Sequence, residues 1–341
     1  MKCWGSFSTA MRSKSPWLLV ALAGAAMVLF AAASLCLGAA PLSLGELASV
    51  IAGARETPEA RILLYVRLPR TVATVLAGMA LAVAGLVIQV VLDNPLAGPN
   101  IIGVNSGAGL FVALCGVLFP YSSALVPAAA FLGAMLAVLL VYFLGRVTQA
   151  SRMTIVLAGV AVSSILSAGI DLVVTFVPEA LIGSNAFRMG GVAGVTLSRI
   201  FPAGWFILLA LVAVVLLRNE MDVLALGEET ARSLGMRVAP IRFGLLFLAA
   251  VLAGSAVSFS GLLGFVGLLV PHAARRIAGN ENRYLIPFCA LMGGAFLTFC
   301  DLLARLMFAP FELPVGLVLS VLGGPFFLWL LLRQKRRKNH A

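Results

Sequence analysis

The sequence predicts an all-α, polytopic membrane protein of about ten transmembrane helices arranged as two inverted five-helix halves. Three observations carry this. The 341 residues are 62% hydrophobic and 11% charged, with a mean hydropathy of +1.09, whereas soluble chains carry about 25% charged residues. Apolar runs of the roughly 20 residues needed to cross a bilayer recur from Trp17 almost to the C-terminus. The runs are continuous rather than alternating, which excludes a β-barrel, the other architecture that satisfies backbone polar groups in lipid.

The expected spans are 17–40, 71–92, 101–119, 123–145, 153–178, 202–217, 241–259, 262–277, 285–308 and 314–332. The first follows Lys14 and ends in small residues, as a signal peptide does. Its 24 residues exceed the usual apolar core of about 7–15, so a retained helix is expected. Asp93, Asn94 and Pro95 end the second span, because proline lacks an N–H and disfavours helical geometry in the residue before it. Pro99 and Asn100 open the third, within "NPLAGPNIIGVNSGAG" (94–109). This stretch reads as a cytoplasmic turn leading into a pathway-lining helix, or as a plain tight turn. A phosphate-cradling loop would need a preceding strand and a Lys, and neither is present. The sixth and eighth spans are short or interrupted by Pro and Gly. The chain thus divides into a cytoplasmic N-terminal tail (1–16), a transmembrane domain (17–332) containing a cytoplasmic loop at 218–240, and a basic cytoplasmic tail (333–341).

Orientation follows from the 24 Lys and Arg residues. With both termini inside, seventeen fall on cytoplasmic segments and seven outside, the latter being Arg55, Arg61, Arg67, Arg70, Arg188, Arg199 and Arg305. The positive-inside rule selects this topology over its inverse. The net charge of +11 is spread over membrane-flanking loops instead of forming one face, so nucleic acid is not an expected partner and membrane lipid is.

An internal echo supports two halves. "AGMALAVAGL" from Ala77 and "AGSAVSFSGL" from Ala253 share A-G-x-A-x-x-x-x-G-L at an offset of 176 residues, and under this topology they run in opposite directions. Residues seven apart share a helix face, so Gly78 with Gly85, and Gly254 with Gly261, are expected to form grooves for close helix approach.

Few residues carry chemistry. No G-x-x-x-x-G-K-[ST] motif occurs, and no segment outside the membrane is long enough to fold alone. No catalytic residue, metal site or cofactor is therefore expected on this chain. Cys3, Cys36, Cys115, Cys289 and Cys300 contain no C-x-x-C pair and read as small buried hydrophobes. His272, after Pro271, lacks the companions a metal cage requires and reads as a polar cap or helix-end contact. Asp171 and Asp301 are the acids placed within spans; intramembrane charges are often functional. Asp301 has Arg305 one turn away, whereas Asp171 has no partner in sequence, so a wet cavity is its expected setting. Arg67 and Arg70 lie at the outer mouth of span two, where their planar forks suit a partner's carboxylates or serve as snorkelling anchors. In the loop, "GEETARSLG" reads as a short helix with Glu228 paired to Arg232 and stopped at Gly235.

"RLPRTVATVLAGMALAVAGLVIQVVLDNPLAGPNIIGVNSGAG" (67–109), "ALGEETARSLGM" from Ala225, "GLLGFVGLLVPHAARR" from Gly261 and "LPVGLVLSVLGGPFFLWLLL" from Leu313 together, in this order, resemble the FecCD-type permeases. These are membrane subunits of ABC importers for iron-siderophores, haem and cobalamin. The likeness covers about residues 15 to 333. It implies a homodimer, or a pair of homologous permeases, with two cytoplasmic subunits that bind and hydrolyse ATP and an extracytoplasmic binding protein that delivers cargo. It implies docking of that protein at Arg67, Arg70 and Arg305, a cytoplasmic gate at Asn94 and Leu96, and ATPase coupling through Glu228, Ala231, Arg232, Gly235 and Met236. The expected cargo is an iron-siderophore, with haem or cobalamin as alternatives, crossing a bacterial inner membrane. A secondary transporter driven by an ion gradient is the rival from another class.

Overall fold

The helix starts are written in local chemistry. The computed structural model describes residues 15–38, 45, 57–120, 122, 124–147, 152–307 and 311–338. Ser15 caps α1 (Pro16–Cys36), its hydroxyl accepting from the Leu18 N–H at 3.3 Å, and Pro16 occupies the first helical position. Thr57 does the same for α2 (Pro58–Val91), accepting from Ala60 N–H at 3.2 Å ahead of Pro58 and Glu59. Then follow α3 (Val104–Leu118), α4 (Val126–Val147), α5 (Arg152–Phe176), α6 (Ala180–Met189), α7 (Leu197–Leu216), α8 (Arg218–Ala225), α9 (Glu228–Ser233), α10 (Val238–Ser260), α11 (Val266–Ala278), α12 (Asn282–Leu306) and α13 (Val315–Lys338).

Seven of these, α1, α2, α4, α5, α7, α10 and α12, are long and apolar enough to cross a membrane; α3 and α13 contribute shorter apolar stretches. With the 13-residue α11, each expected span has one helix. The boundaries differ in three places. The second helix starts at Pro58 rather than residue 71 and passes through a π-helical turn at Leu63–Arg67, because Arg61, Arg67 and Arg70 dilute hydropathy without interrupting the backbone. The eighth span is not continuous: residues 261–265 are non-helical before α11 begins. At the C-terminus the helix continues through Lys338, so most of the basic tail is helical, while residues 1–14 of the N-terminal tail lie outside the described residues.

The core is built on α2, α10 and α12, whose membrane windows are 78, 72 and 72% buried against 6% for α1. α2 packs on α12, α10 and α11, and α10 packs on α2, α4 and α7. The pairs α2 with α12 and α10 with α4 thus relate spans two and nine as spans seven and four, the arrangement an inverted repeat requires. Close approach is permitted by glycine. A Cβ on Gly78 would run into the Gly293 carbonyl, and one on Gly85 into the Gly267 backbone. Gly254 is different, facing the side chains of Ala134 and Phe131 at 3.3 and 3.4 Å. Gly261 does not sit on a helix face at all: with φ of 67° it terminates α10, against the carbonyl of Phe187.

Two interruptions meet beside this core. The chain leaves α2, turns, and enters α3 through Gly103 in the left-handed region (φ 85°); it leaves α10 and enters α11 through Phe265 in the same region (φ 66°). A cavity of about 100 Å³ between them is lined by Leu81, Pro99, Asn100, Leu263, Phe265 and Gly267. Leu81 and Gly85 precede the end of α2 by ten and six residues, about 15 and 9 Å at 1.5 Å per residue. Both interruptions therefore lie alongside α2 and not beyond its end, with their irregular backbone packed against protein.

Candidate functional site

At the outer end, the arginines expected to meet a partner lie inside, each with intramolecular acceptors. Arg67, Arg70 and Arg305 are 4, 6 and 4% exposed. Arg67 Nη1 donates to the carbonyls of Leu35 and Cys36 at 2.8 and 2.7 Å, closing the C-terminus of α1 where a cation suits the helix dipole. Arg70 places Nε and Nη2 on Asp301 at 3.0–3.1 Å and Nη1 on Glu312 at 2.6 Å. Arg305 Nη2 donates to the Ser34 hydroxyl at 2.7 Å, and its Nε approaches Asp301 at 3.3 Å without hydrogen-bond alignment. Two cations and two carboxylates thus balance within one cluster. Hydroxyl pairs continue it inward, Ser34 with Thr71 at 2.8 Å and Thr74 with Thr298 at 3.0 Å.

The local pair of Asp301 and Arg305 was legible as an i, i+4 spacing, but the stronger partner, Arg70, is 231 residues away. Glu312 was missed because nothing local marks it; it reaches Arg70 after the chain folds back, with Leu313 N–H on the Ala304 carbonyl at 3.2 Å. Asp301 is 1% exposed and enclosed by Arg70 and Arg305, an arrangement that suits a structural ion pair better than an ion relay. Asp171 is exposed on α5, and its backbone carbonyl accepts from the Thr175 hydroxyl at 2.7 Å; Ser164 and Ser167 share that exposed side. His272 is half-buried with its ring edge-on to Phe326, and its Nε2 has no partner among the described residues.

In the inner turn, the Asn94 side-chain oxygen accepts from Leu96 N–H at 2.9 Å, a local Asx turn, and Asn94 N–H donates to the Gln89 carbonyl at 3.1 Å. Both residues are half-buried. The Gln89 side-chain oxygen accepts from Arg275 of α11, so the end of α2 that carries this turn is tied to the helix following the second interruption.

The loop expected at 218–240 forms two short helices, α8 and α9. Glu228 pairs with Arg232 at 2.6 Å and with Arg242 of α10 at 2.7 Å. Asp222 of α8 accepts from the backbone and side-chain N–H groups of Asn282 at 3.1 and 2.8 Å, fixing the start of α12. Met221, Leu224 and Ala231 are buried beneath, so Ala231 seats α9 and is not available to a partner. Gly235, in the left-handed region (φ 82°), closes α9 with Met236 N–H returning to the Ala231 carbonyl at 3.0 Å. Leu226 and Leu234, 59 and 63% exposed, flank α9 in water. Hydropathy alone could have marked them, since two leucines bracketing a charged hexapeptide have no core to enter.

The family profile described as the FecCD transport family matches residues 25–333. The chain belongs to the FecCD family. FecCD permeases are the non-catalytic transport components of metal-chelate ABC importers, and ATP is hydrolysed by a separate subunit. The chain is 32% identical over 332 residues to the Fe(3+)-citrate import system permease protein YfmE of Bacillus subtilis, covering 97% of this chain and 99% of that one. It is 37% identical over 286 residues to the hemin transport system permease protein HmuU of Yersinia pestis, covering 82 and 85%. A solved inward-facing structure assigned to a metal-chelate type ABC transporter superposes with a TM-score of 0.83 at 27% identity, covering 94% of this chain and all of that one. Relatives named for citrate-bound iron and for hemin lie at similar identity, so FecCD membership fixes the class of cargo and leaves its member open.

Proposed function

We propose that this permease carries an iron-siderophore complex across the inner membrane by alternating access, with haem and cobalamin as the competing cargoes. End-to-end alignment with a ferric-citrate permease supports an iron chelate. A homodimer completes the pathway, two ATPase subunits sit against α8 and α9, and an extracytoplasmic protein delivers cargo to the outer face around Arg67, Arg70 and Arg305. The turn at Asn94 and Leu96 gates the inner exit. The test is uptake by proteoliposomes containing the permease, its ATPase and its delivery protein. Labelled ferric siderophore is expected to accumulate only with ATP, and accumulation of hemin or cobalamin instead would reassign the cargo. Uphill transport by the permease alone on a proton or sodium gradient defeats the whole reading.

Coupling gives a sharper prediction. Glu228, Arg232, Gly235 and Met236 form the coupling surface, with Leu226 and Leu234 as its apolar contacts. Leu234→Glu removes an exposed apolar group, so folding is unaffected, yet ATP-driven uptake is expected to fall at least about tenfold, as for loss of one anchoring contact of roughly 1.4 kcal/mol or more. Gly235→Pro is expected to uncouple hydrolysis from uptake, since proline fixes φ near −65° where the turn holds 82°. ATPase and uptake rates measured on the same vesicles separate uncoupling from loss of assembly.

A further inference from the structure

Arg70 divides its guanidinium between two carboxylates of unlike standing. Nε and Nη2 face Asp301, which is 1% exposed and shared with Arg305; Nη1 faces Glu312, whose side chain is 43% exposed. Asp301 belongs to the rigid α12, whereas Glu312 sits in the connection to α13. The inner edge of the guanidinium is therefore fixed, and its outer edge is closed by a side chain that water already reaches. Phe311, next to Glu312, is 77% exposed.

We propose that Glu312 is an internal stand-in for a carboxylate of the delivery protein. In the undocked permease it occupies Nη1 of Arg70; on docking it swings into water and an Asp or Glu of the partner takes its place. The inference rests on the reading that delivery protein docks around Arg70, and it accounts for a docking arginine that is buried. An Arg70 without Glu312 would leave a charged donor partly desolvated and unsatisfied. Exchange of one carboxylate for another keeps a charge-assisted hydrogen bond on the same nitrogen throughout. The tethered carboxylate competes at high effective concentration, so docking is weakened and release after cargo transfer is favoured. Arg67 Nη1 is held by the carbonyls of Leu35 and Cys36, and Arg305 Nη2 by the Ser34 hydroxyl. Phe311 offers the partner an apolar contact beside the exchange.

The experiment measures affinity of the delivery protein for the permease–ATPase complex in nanodiscs. Glu312→Gln is expected to raise affinity about tenfold, the equivalent of relieving one competing contact. The gain is expected to vanish when Arg70→Gln is combined with it; should that variant fail to assemble, Arg70→Lys, which keeps the charge and loses the fork, takes its place. If the Arg70 variant weakens docking while Glu312→Gln leaves affinity unchanged or lowers it, the stand-in is overturned and docking at Arg70 survives. If neither substitution alters affinity, docking at Arg70 falls and takes the inference with it.

Discussion

Arg70→Met is expected to destabilise the folded permease by about 3–5 kcal/mol, the usual cost of leaving one member of a buried ion pair uncompensated. Asp301 is 1% exposed and accepts three hydrogen bonds from Arg70. Once those go, its remaining cation is Arg305, 3.3 Å away and misaligned. The loss appears as a lowered thermal-unfolding midpoint in detergent and a lower yield of monodisperse protein. Arg70→Met combined with Asp301→Leu is expected to cost less than the sum of the single changes, because the second substitution removes the stranded charge. A single-variant midpoint equal to wild type means that water reaches Asp301 and that the cluster contributes little to stability. Glu312→Gln, at the exposed edge, is expected to shift the midpoint by the equivalent of no more than about 1 kcal/mol, so stability and docking are read from different residues of one cluster.

What was legible in the sequence follows a rule of range. Apolar runs locate the spans because a helix satisfies its own backbone within one segment, and the Asp301–Arg305 and Glu228–Arg232 pairs were readable because one helical turn fixes them. Thr57, Pro58 and Glu59 also announced the true start of α2; three arginines concealed it by lowering hydropathy. The break at 261–265 was only partly visible: glycines marked the eighth span as interrupted, but hydropathy did not show where the helix begins. Gly261 to Val266 is as apolar as the helices around it, and Phe265 in a left-handed conformation leaves no mark on composition. Arg70 with Asp301, Glu228 with Arg242 and Asp222 with Asn282 depend on tertiary packing, which one sequence does not display. The arginines proposed for docking were picked out by motif, but their burial depends on α1 and α12 closing over them.

Gly85→Leu is expected to abolish the folded permease, whereas Gly244→Leu is expected to be tolerated. Both glycines are helical, on α2 and α10, so propensity treats them alike: each substitution relieves glycine's backbone entropy, a gain of about 0.5–1 kcal/mol. Their surroundings decide the sign. A Cβ on Gly244 meets no atom within 4 Å, while one on Gly85 would collide with Gly267, whose own Cα lies 2.6 Å from that position. The obstacle is main chain, so no rotamer change removes it, and Gly267 has no side chain to shorten. Separating α2 from α11 is the remaining escape, and it pulls Gln89 from Arg275 and opens the junction of the two interruptions. Overpacking costs about 1–3 kcal/mol where side chains can shift; against fixed backbone the cost is expected to exceed that range. Expression level, monodispersity and unfolding midpoint of the two variants, side by side, check the contrast. A stable Gly85→Leu permease that still transports means that α2 and α11 separate without loss, and the inner half of the pathway is then not held by this contact.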